Sequence, residues 1–419
     1  MIHGKKHIKC GLIGKTLSHS YSPNIHRELA DYSYSLFELC ENELEAFVKN
    51  VESFDSCNVT IPYKKAVMPY LDSISDEATK IGSVNTVLRR PDGTLRGENT
   101  DYFGFSYLLS KGNIDVRGKK VAILGTGGAS VTACAVCSDL GAREIIFVSR
   151  TGEINYQNVY ERASDCEIVI NCTPVGMYPN NGTAPVDLAK LPRVRDVADM
   201  IYNPSKTRLL LDADALGINS INGLSMLVAQ AKRACELFTD CKINDAEIDR
   251  ITAAIESETK NIVLVGMPGC GKTTLAKILA ERTCRELIDT DELIVKYDGR
   301  PIPDIFARDG EEYFRALEHR AATEAGKLSG KIIATGGGIV TRKENFGALR
   351  QNSTVVFIER DINALSRDGR PLSQGADLFE MYQKRLPMYR AFCDATVSNN
   401  TTAEQCAQQI INLTGVNAK

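Results

Sequence analysis

The sequence predicts an α/β protein of more than one domain, and three observations carry that prediction. Short apolar runs of about four to eight residues alternate with helix-patterned segments along the chain, the signature of repeated βαβ units and parallel sheets. Two of those runs end in glycine-rich turns that open a helix: "VAILGTGGAS", Val121 to Ser130, and "VGMPGCGKTTL", Val265 to Leu275. At 419 residues the chain is too long for one ordinary core, so two or three domains are expected.

The strand-like runs fall in order. "CGLIG" and "SCNVTI" come first, then "KVAILG", "EIIFVS" and "EIVINCT", then "NIVLVG", "KIIATG" and "TVVFIE". Apolar and β-branched residues between turn residues are what a buried strand needs. "VTACAVCSDLGA" and "TTLAKILAERT" read as the helices that follow the two glycine turns. Around "INDAEIDRITAAIESETKN", Ile243 to Asn261, a polar helix runs into a new strand, which puts the main boundary near residue 257. A second division falls near residue 101, before the helix that feeds the first glycine turn. No self-similar repeat and no low-complexity tract interrupts this order.

Composition narrows the function classes. A content of 43% hydrophobic and 25% charged residues is that of a globular protein, and a net charge of −3 gives no overall attraction to nucleic acid or anionic membrane. No apolar run approaches the ~20 residues that span a bilayer. The run "MIHGKKHIKCGLIG" lacks the apolar core and cleavage site of a signal peptide, so a cytoplasmic protein is expected. Thirteen cysteines, an odd number in a long chain, are expected as free thiols. Cys134 and Cys137 read as small core residues of a helix, not as metal ligands.

In the first half, "KKVAILGTGGAS" is a strand running into Gly125, Thr126, Gly127, Gly128 and Ala129 and then a helix. Glycines let the backbone turn tightly against a pyrophosphate, whose charge meets the helix N-terminus. The third fingerprint position is Ser130. The next strand ends in Ser149, Arg150 and Thr151; an arginine where an NAD site places an acid suits the 2′-phosphate of NADP. Upstream, "SHSYSP" offers Ser20 and Ser22, "NVTIPYKKAV" offers Thr60, Lys64 and Lys65, and "GSVNTV" offers Asn85. "GENTDYFGF" adds Asn99, Thr100 and Asp101. Small polar groups at strand ends grip a polyhydroxy acid, and together these point to one pocket. Lys65 reads as solvated.

Over about residues 8 to 245 these stretches, with "INCTPVGM" and "INGLSMLVAQA", closely resemble the shikimate dehydrogenase family, in order. The resemblance implies Lys64 and Asp101 as the catalytic pair, with Ser20, Ser22, Thr60, Asn85, Tyr202 and Gln230 around the substrate. It implies that Gly125 to Ala129, Arg150 and Thr151 hold NADP(H), that Met200 and Gly223 flank the nicotinamide, and that Asp76 lies near the cofactor. The chain departs from the family at Thr16, often proline, and at Ile154, where many relatives carry a second basic residue. A short, poorly helical segment from Thr151 to Cys166 leaves the adenosine side more open.

In the second half, "NIVLV" precedes and "TTLAKILAERT" follows the loop that holds Gly269, Cys270, Gly271, Lys272, Thr273 and Thr274, so the context is that of a P-loop. Its amides and Lys272 suit the phosphates of ATP, and Thr273 suits Mg²⁺. "LIDTDELI" supplies Asp289 and Asp291, "EEYFRALE" puts Arg315 and Glu318 on one helical face, and "IATGGGIV" gives Gly336 to Gly338. "SRDGRPL" carries Arg370 and "YQKRLPMYR" carries Arg385, while Arg367 and Lys384 read as surface charges.

These motifs closely resemble shikimate kinase over about residues 259 to 415. The resemblance implies that Asp291 grips the ring hydroxyls as base, that Arg315 and Arg385 bind the carboxylate, and that Gly337 lies against the ring. Asp289 then reaches Mg²⁺ and Arg370 closes on the phosphates. The lid between Arg367 and Asp377 is short, and an arginine common near the adenine is missing around Ser398 to Thr402. The expected architecture is therefore an α/β substrate domain over 1–101, a Rossmann NADP domain over 102–245 whose last helices return to the substrate domain, a linker over 246–258, and a P-loop kinase domain with a parallel sheet over 259–419. The implied function is reduction of 3-dehydroshikimate to shikimate and its phosphorylation at the 3-hydroxyl, with small-molecule substrates and neither nucleic acid nor membrane as partner. The alternatives are a quinate/shikimate dehydrogenase in the first half, or a regulator that binds shikimate without turnover.

Overall fold

Three sheets organise the computed structural model, which describes residues 8–17, 20–365 and 378–418. The first holds β1 (Lys9–Gly14), β2 (Ser33–Glu38), β3 (Ser56–Val59), β4 (Ser73–Ile74), β5 (Thr86–Arg89) and β6 (Leu95–Glu98) in the order β2-β1-β3-β5-β6-β4. The sequence pattern predicts parallel strands throughout, but β5 runs antiparallel to both β3 and β6. The reason is local. "RRPDGT" joins β5 to β6 by a tight turn, in which Gly93 N donates to Arg90 O and Gly93 takes φ +88°. So short a connection allows only a hairpin.

The second sheet holds β7 (Lys120–Leu124), β8 (Glu144–Val148), β9 (Ile168–Asn171), β10 (Asp196–Asp199) and β11 (Asn219–Ile221) in the order β11-β10-β9-β7-β8, all parallel. β7 is the strand from which the chain winds first to one side and then to the other, so the first glycine turn leaves the sheet at its switch point. The third sheet, also parallel, is β13 (Leu287–Asp289), β14 (Ile332–Ala334), β12 (Asn261–Val265), β15 (Ser353–Glu359) and β16 (Ala395–Ser398), in that spatial order. The P-loop follows its central strand. β7, β9 and β12 are buried along their whole length, as strands covered on both faces must be.

The described residues gather into two compact units, one within Met1–Pro174, Pro185–Tyr202 and Asp212–Ala253, the other within Val175–Ala184, Asn203–Leu211 and Ala254–Lys419. The first two sheets thus share a unit, and two short segments of the expected Rossmann domain group with the third. Helix Asp101–Lys111 joins the first two sheets and packs on helix Leu224–Thr239. The fit is close at Gly104, where a Cβ would lie 2.9 Å from Met226 O. Residues 246–258 form nearly all of helix Ala246–Thr259. Among the described residues no helix is long and apolar enough to cross a membrane, and the cysteines are free thiols, Cys137 and Cys270 among those buried.

Two candidate active sites

In the first unit, the residues expected at the catalytic and substrate positions line one cavity of about 400 Å³: Ser20, Ser22, Thr60, Lys64, Asn85, Asp101, Tyr202 and Gln230, with Met200 and Gly223. Lys64 stands on the short helix Tyr63–Ala66, started by Pro62 after β3 ends. Asp101 is the first residue of helix Asp101–Lys111, where the helix dipole favours a carboxylate. Lys64 Nζ donates to Asp101 Oδ2 at 2.6 Å, with the two side chains 28% and 16% exposed. Lys65, by contrast, is exposed. Asn85 Oδ1 accepts from Thr100 N at 2.7 Å and its Nδ2 donates to Thr100 Oγ1 at 3.1 Å, so its amide is locked. Asn99 and Thr100 do not line this cavity as expected. They face a neighbouring one of about 330 Å³, because their side chains are spent on holding Ser83 and Asn85.

Gly223 approaches so close that a Cβ would sit 2.1 Å from Met200 O, which pins the start of helix Leu224–Thr239 to the end of β10. Around the glycine turn, Gly125 takes φ +103° and Thr126 to Ala129 are exposed at the start of helix Gly128–Asp139. A Cβ on Gly127 or Gly128 would meet nothing within 4 Å, so this N-terminus has the open ground a pyrophosphate requires. Arg150 and Thr151 are exposed just past β8, and only Val159–Arg162 is helical in the segment that follows. Asp76 begins helix Asp76–Ile81, exposed and outside the cavity lining.

In the second unit a cavity of about 220 Å³ is lined by Gly269, Lys272, Thr273, Asp289, Asp291, Arg315, Glu318, Gly337 and Arg385, among others. Lys272 is buried and donates to Gly266 O at 2.9 Å and Met267 O at 3.0 Å, folding the loop around its ammonium. Cys270 offers the loop its backbone while its side chain joins the core. Thr274 is exposed one residue further along helix Lys272–Thr283. Burial, with Asp289 nearby, pushes the Asp291 carboxyl up to about 6 against the pull of Lys272. Burial raises Glu318 as well, against the opposing pull of Arg315. Arg315 Nη1 donates to Glu318 Oε2 at 2.8 Å and its Nη2 to Glu311 Oε1 at 2.9 Å. Asp291 Oδ1 and Glu318 Oε1 are buried without a hydrogen-bond partner among the described residues, and both lie beside Gly336, where a Cβ would meet them at 2.7 and 3.2 Å. Arg385 Nη1 donates to Gly337 O at 3.1 Å. Arg370 and Arg367 lie outside the described residues; Lys384 is exposed.

Two positions were not singled out by sequence reasoning. Asn58 lines the first cavity, and its one signal is a polar residue inside an otherwise apolar strand run. Glu318 had been placed on the Arg315 face but given no role; it closes the wall behind Gly336.

Fold and sites define an enzyme of two parts, one built to use a dinucleotide and one a P-loop phosphotransferase. Family models match on both sides: shikimate dehydrogenase substrate binding domain over residues 12–87 and shikimate kinase over residues 268–414. A shikimate dehydrogenase (NADP(+)) of Clostridium beijerinckii is 37% identical over 267 residues, covering 60% of this chain and 98% of that relative. Among solved structures, shikimate dehydrogenase 1 from Peptoclostridium difficile shares 37% identity with a TM-score of 0.54, over 59% of this chain and 97% of the other. A chorismate mutase/shikimate 5-dehydrogenase fusion protein from Clostridium acetobutylicum shares 35% with a TM-score of 0.56, over 60% and 98%. The chain belongs to the shikimate dehydrogenase family and carries a shikimate kinase domain, a bifunctional enzyme of the shikimate pathway that uses NADP and ATP.

Proposed function

We propose that the first unit reduces 3-dehydroshikimate to shikimate with NADPH, and that the second phosphorylates the 3-hydroxyl of shikimate with ATP and Mg²⁺. The observation that carries this reading is that a lysine and a carboxylate share each cavity, Lys64 with Asp101 and Lys272 with Asp291. In the first, NADPH supplies the hydride that makes the new C–H bond. Lys64 gives a proton to the ketone oxygen as charge builds there, making the O–H bond, and Asp101 holds the ammonium in place. Ser20, Ser22, Thr60, Asn85, Tyr202 and Gln230 grip the acid and its hydroxyls. Gly125 to Ala129, Arg150 and Thr151 hold the cofactor, with Asp76 near it and Met200 and Gly223 beside the nicotinamide.

In the second, Asp291 takes the proton of the attacking hydroxyl, a role suited by a pKa near 6. Arg315 and Arg385 receive the carboxylate and Gly337 lies against the ring. The loop Gly269 to Thr274 receives the phosphates, with Arg370 as closing residue. Thr273 and Asp289 are both oxygen donors at the same cavity, a set that fits Mg²⁺, whose charge there would offset that of the phosphates. The free thiols suit a reducing cytoplasm. The test is to supply 3-dehydroshikimate, NADPH, ATP and Mg²⁺ and look for shikimate 3-phosphate. Absence of NADPH oxidation, or of phosphorylation when shikimate itself is added, would falsify the reading.

A further inference from the structure

Against the first cavity lies a buried polar cluster that the proposed chemistry does not use. Asn58 on β3 is 5% exposed and lines the cavity. Its Nδ2 donates to Thr86 Oγ1 at 3.1 Å and its Oδ1 accepts from the Tyr34 hydroxyl at 2.8 Å, so both ends of the amide are engaged and its orientation is set. Burial pushes the Tyr34 phenol up, and Ser22, which lines the cavity from helix Ser22–Leu29, pulls against that shift from close by. The phenol on β2 therefore fixes one cavity group on a different strand and lies beside another on a helix. The phenol is itself braced. His26, one turn after Ser22, stacks on the Tyr34 ring with centroids 4.0 Å apart and planes at 13°. Its Nδ1 lies 2.5 Å from the Tyr32 hydroxyl, and burial pulls its pKa down to about 3, so the imidazole is a neutral support.

We infer that Tyr34 is a positioning residue for the acid substrate of the first cavity, its hydroxyl holding the Asn58 amide in the orientation the substrate's polar edge requires. This rests on the reading of that cavity as the dehydrogenase site. Lys64 and Asp101 take no part in the cluster, so loss of the phenol oxygen weakens ground state and transition state alike. That is the signature of a raised KM with kcat kept.

The test is steady-state kinetics of the full chain with shikimate and NADP. Tyr34→Phe is expected to raise KM for shikimate about tenfold, the loss of roughly one hydrogen bond, while kcat stays within about twofold and KM for NADP is unmoved. Tyr32→Phe, which removes the hydroxyl contact to His26 and leaves the Tyr34–Asn58 bond in place, is expected to lower Tm and leave KM alone. Asn58→Ala removes the phenol's acceptor and serves as a second variant should Tyr34→Phe not fold; the same KM rise is expected. A wild-type KM in a folded Tyr34→Phe or Asn58→Ala, or an equal rise in Tyr32→Phe, overturns the inference. An inactive wild-type enzyme instead sinks the reading of the site, and the inference with it.

Discussion

Lys64 and Asp101 stand 37 positions apart in the chain, yet the ammonium of one lies 2.6 Å from the carboxylate of the other inside a cavity. Lys64→Ala removes both the proton and the field it supplies to a developing oxyanion. Dehydrogenation should fall by roughly 10² to 10⁴. Phosphorylation of added shikimate should continue at the wild-type rate, measured by coupled ADP release. Loss of both activities in a folded variant would contradict two independent sites.

As the proposed base, Asp291 should give the other reaction a pH dependence. Its carboxyl is raised from 3.8 to about 6, and only the ionised form accepts the hydroxyl proton. Kinase kcat/KM should therefore climb between pH 5 and 7, with an apparent pKa of about 6. Stability runs the other way. A carboxyl raised by folding makes its contribution in full below about pH 4 and loses it as pH rises through about 6. Asp291→Asn should abolish phosphorylation and raise Tm relative to wild type, more at pH 8 than at pH 4.

Gly338 is pressed against Arg315: a Cβ there would fall 2.1 Å from Nη1. Gly338→Ala should push the guanidinium aside and cost a charged hydrogen bond to the substrate acid, about 1.5–3 kcal/mol. The expected reading is a KM for shikimate raised about 10- to 100-fold with KM for ATP little changed. An unaltered shikimate KM would show that Arg315 does not receive the carboxylate.

The proposed placement of the NADP 2′-phosphate at Arg150 makes a prediction about cofactor selectivity. Arg150 is exposed past β8, while Ile154 uses its carbonyl to accept from Ser149 N and offers no charge. Arg150→Ala should raise KM for NADPH about tenfold and leave that for NADH in place. Ile154→Arg should widen the preference for NADPH. Equal effects on the two cofactors would move the 2′-phosphate elsewhere.

What could be read in advance follows from where information lies in a chain. "KVAILG", "EIVINCT" and "NIVLVG" were legible because strands buried on both faces are apolar along nearly their whole length, with Lys120, Asn171 and Asn261 only at their ends. β2, "SYSLFE", was not, because it is a sheet edge and partly exposed along its length. The antiparallel β5 needed the turn at Pro91–Gly93 to be weighed above the βαβ rhythm around it. Lys64, Asp101, Lys272 and Asp291 stand in motifs whose spacing is local. Tyr34 does not: its hydrogen bond to Asn58 arises only when β2 and β3 are brought to either side of β1, and an aromatic in a strand signals packing first.

The floor of the second cavity is main chain, from Gly336 to Gly338, walled by Pro268, Asp291 and Arg315. An inhibitor shaped to rest on that floor would touch atoms that every amino acid shares. Adding bulk beneath it carries a cost, since a methyl at each of the three positions must displace the enzyme's own neighbouring residues. Resistance would have to arise elsewhere in the cavity, where Ile302, Phe306 and Met381 are among the side chains that could change.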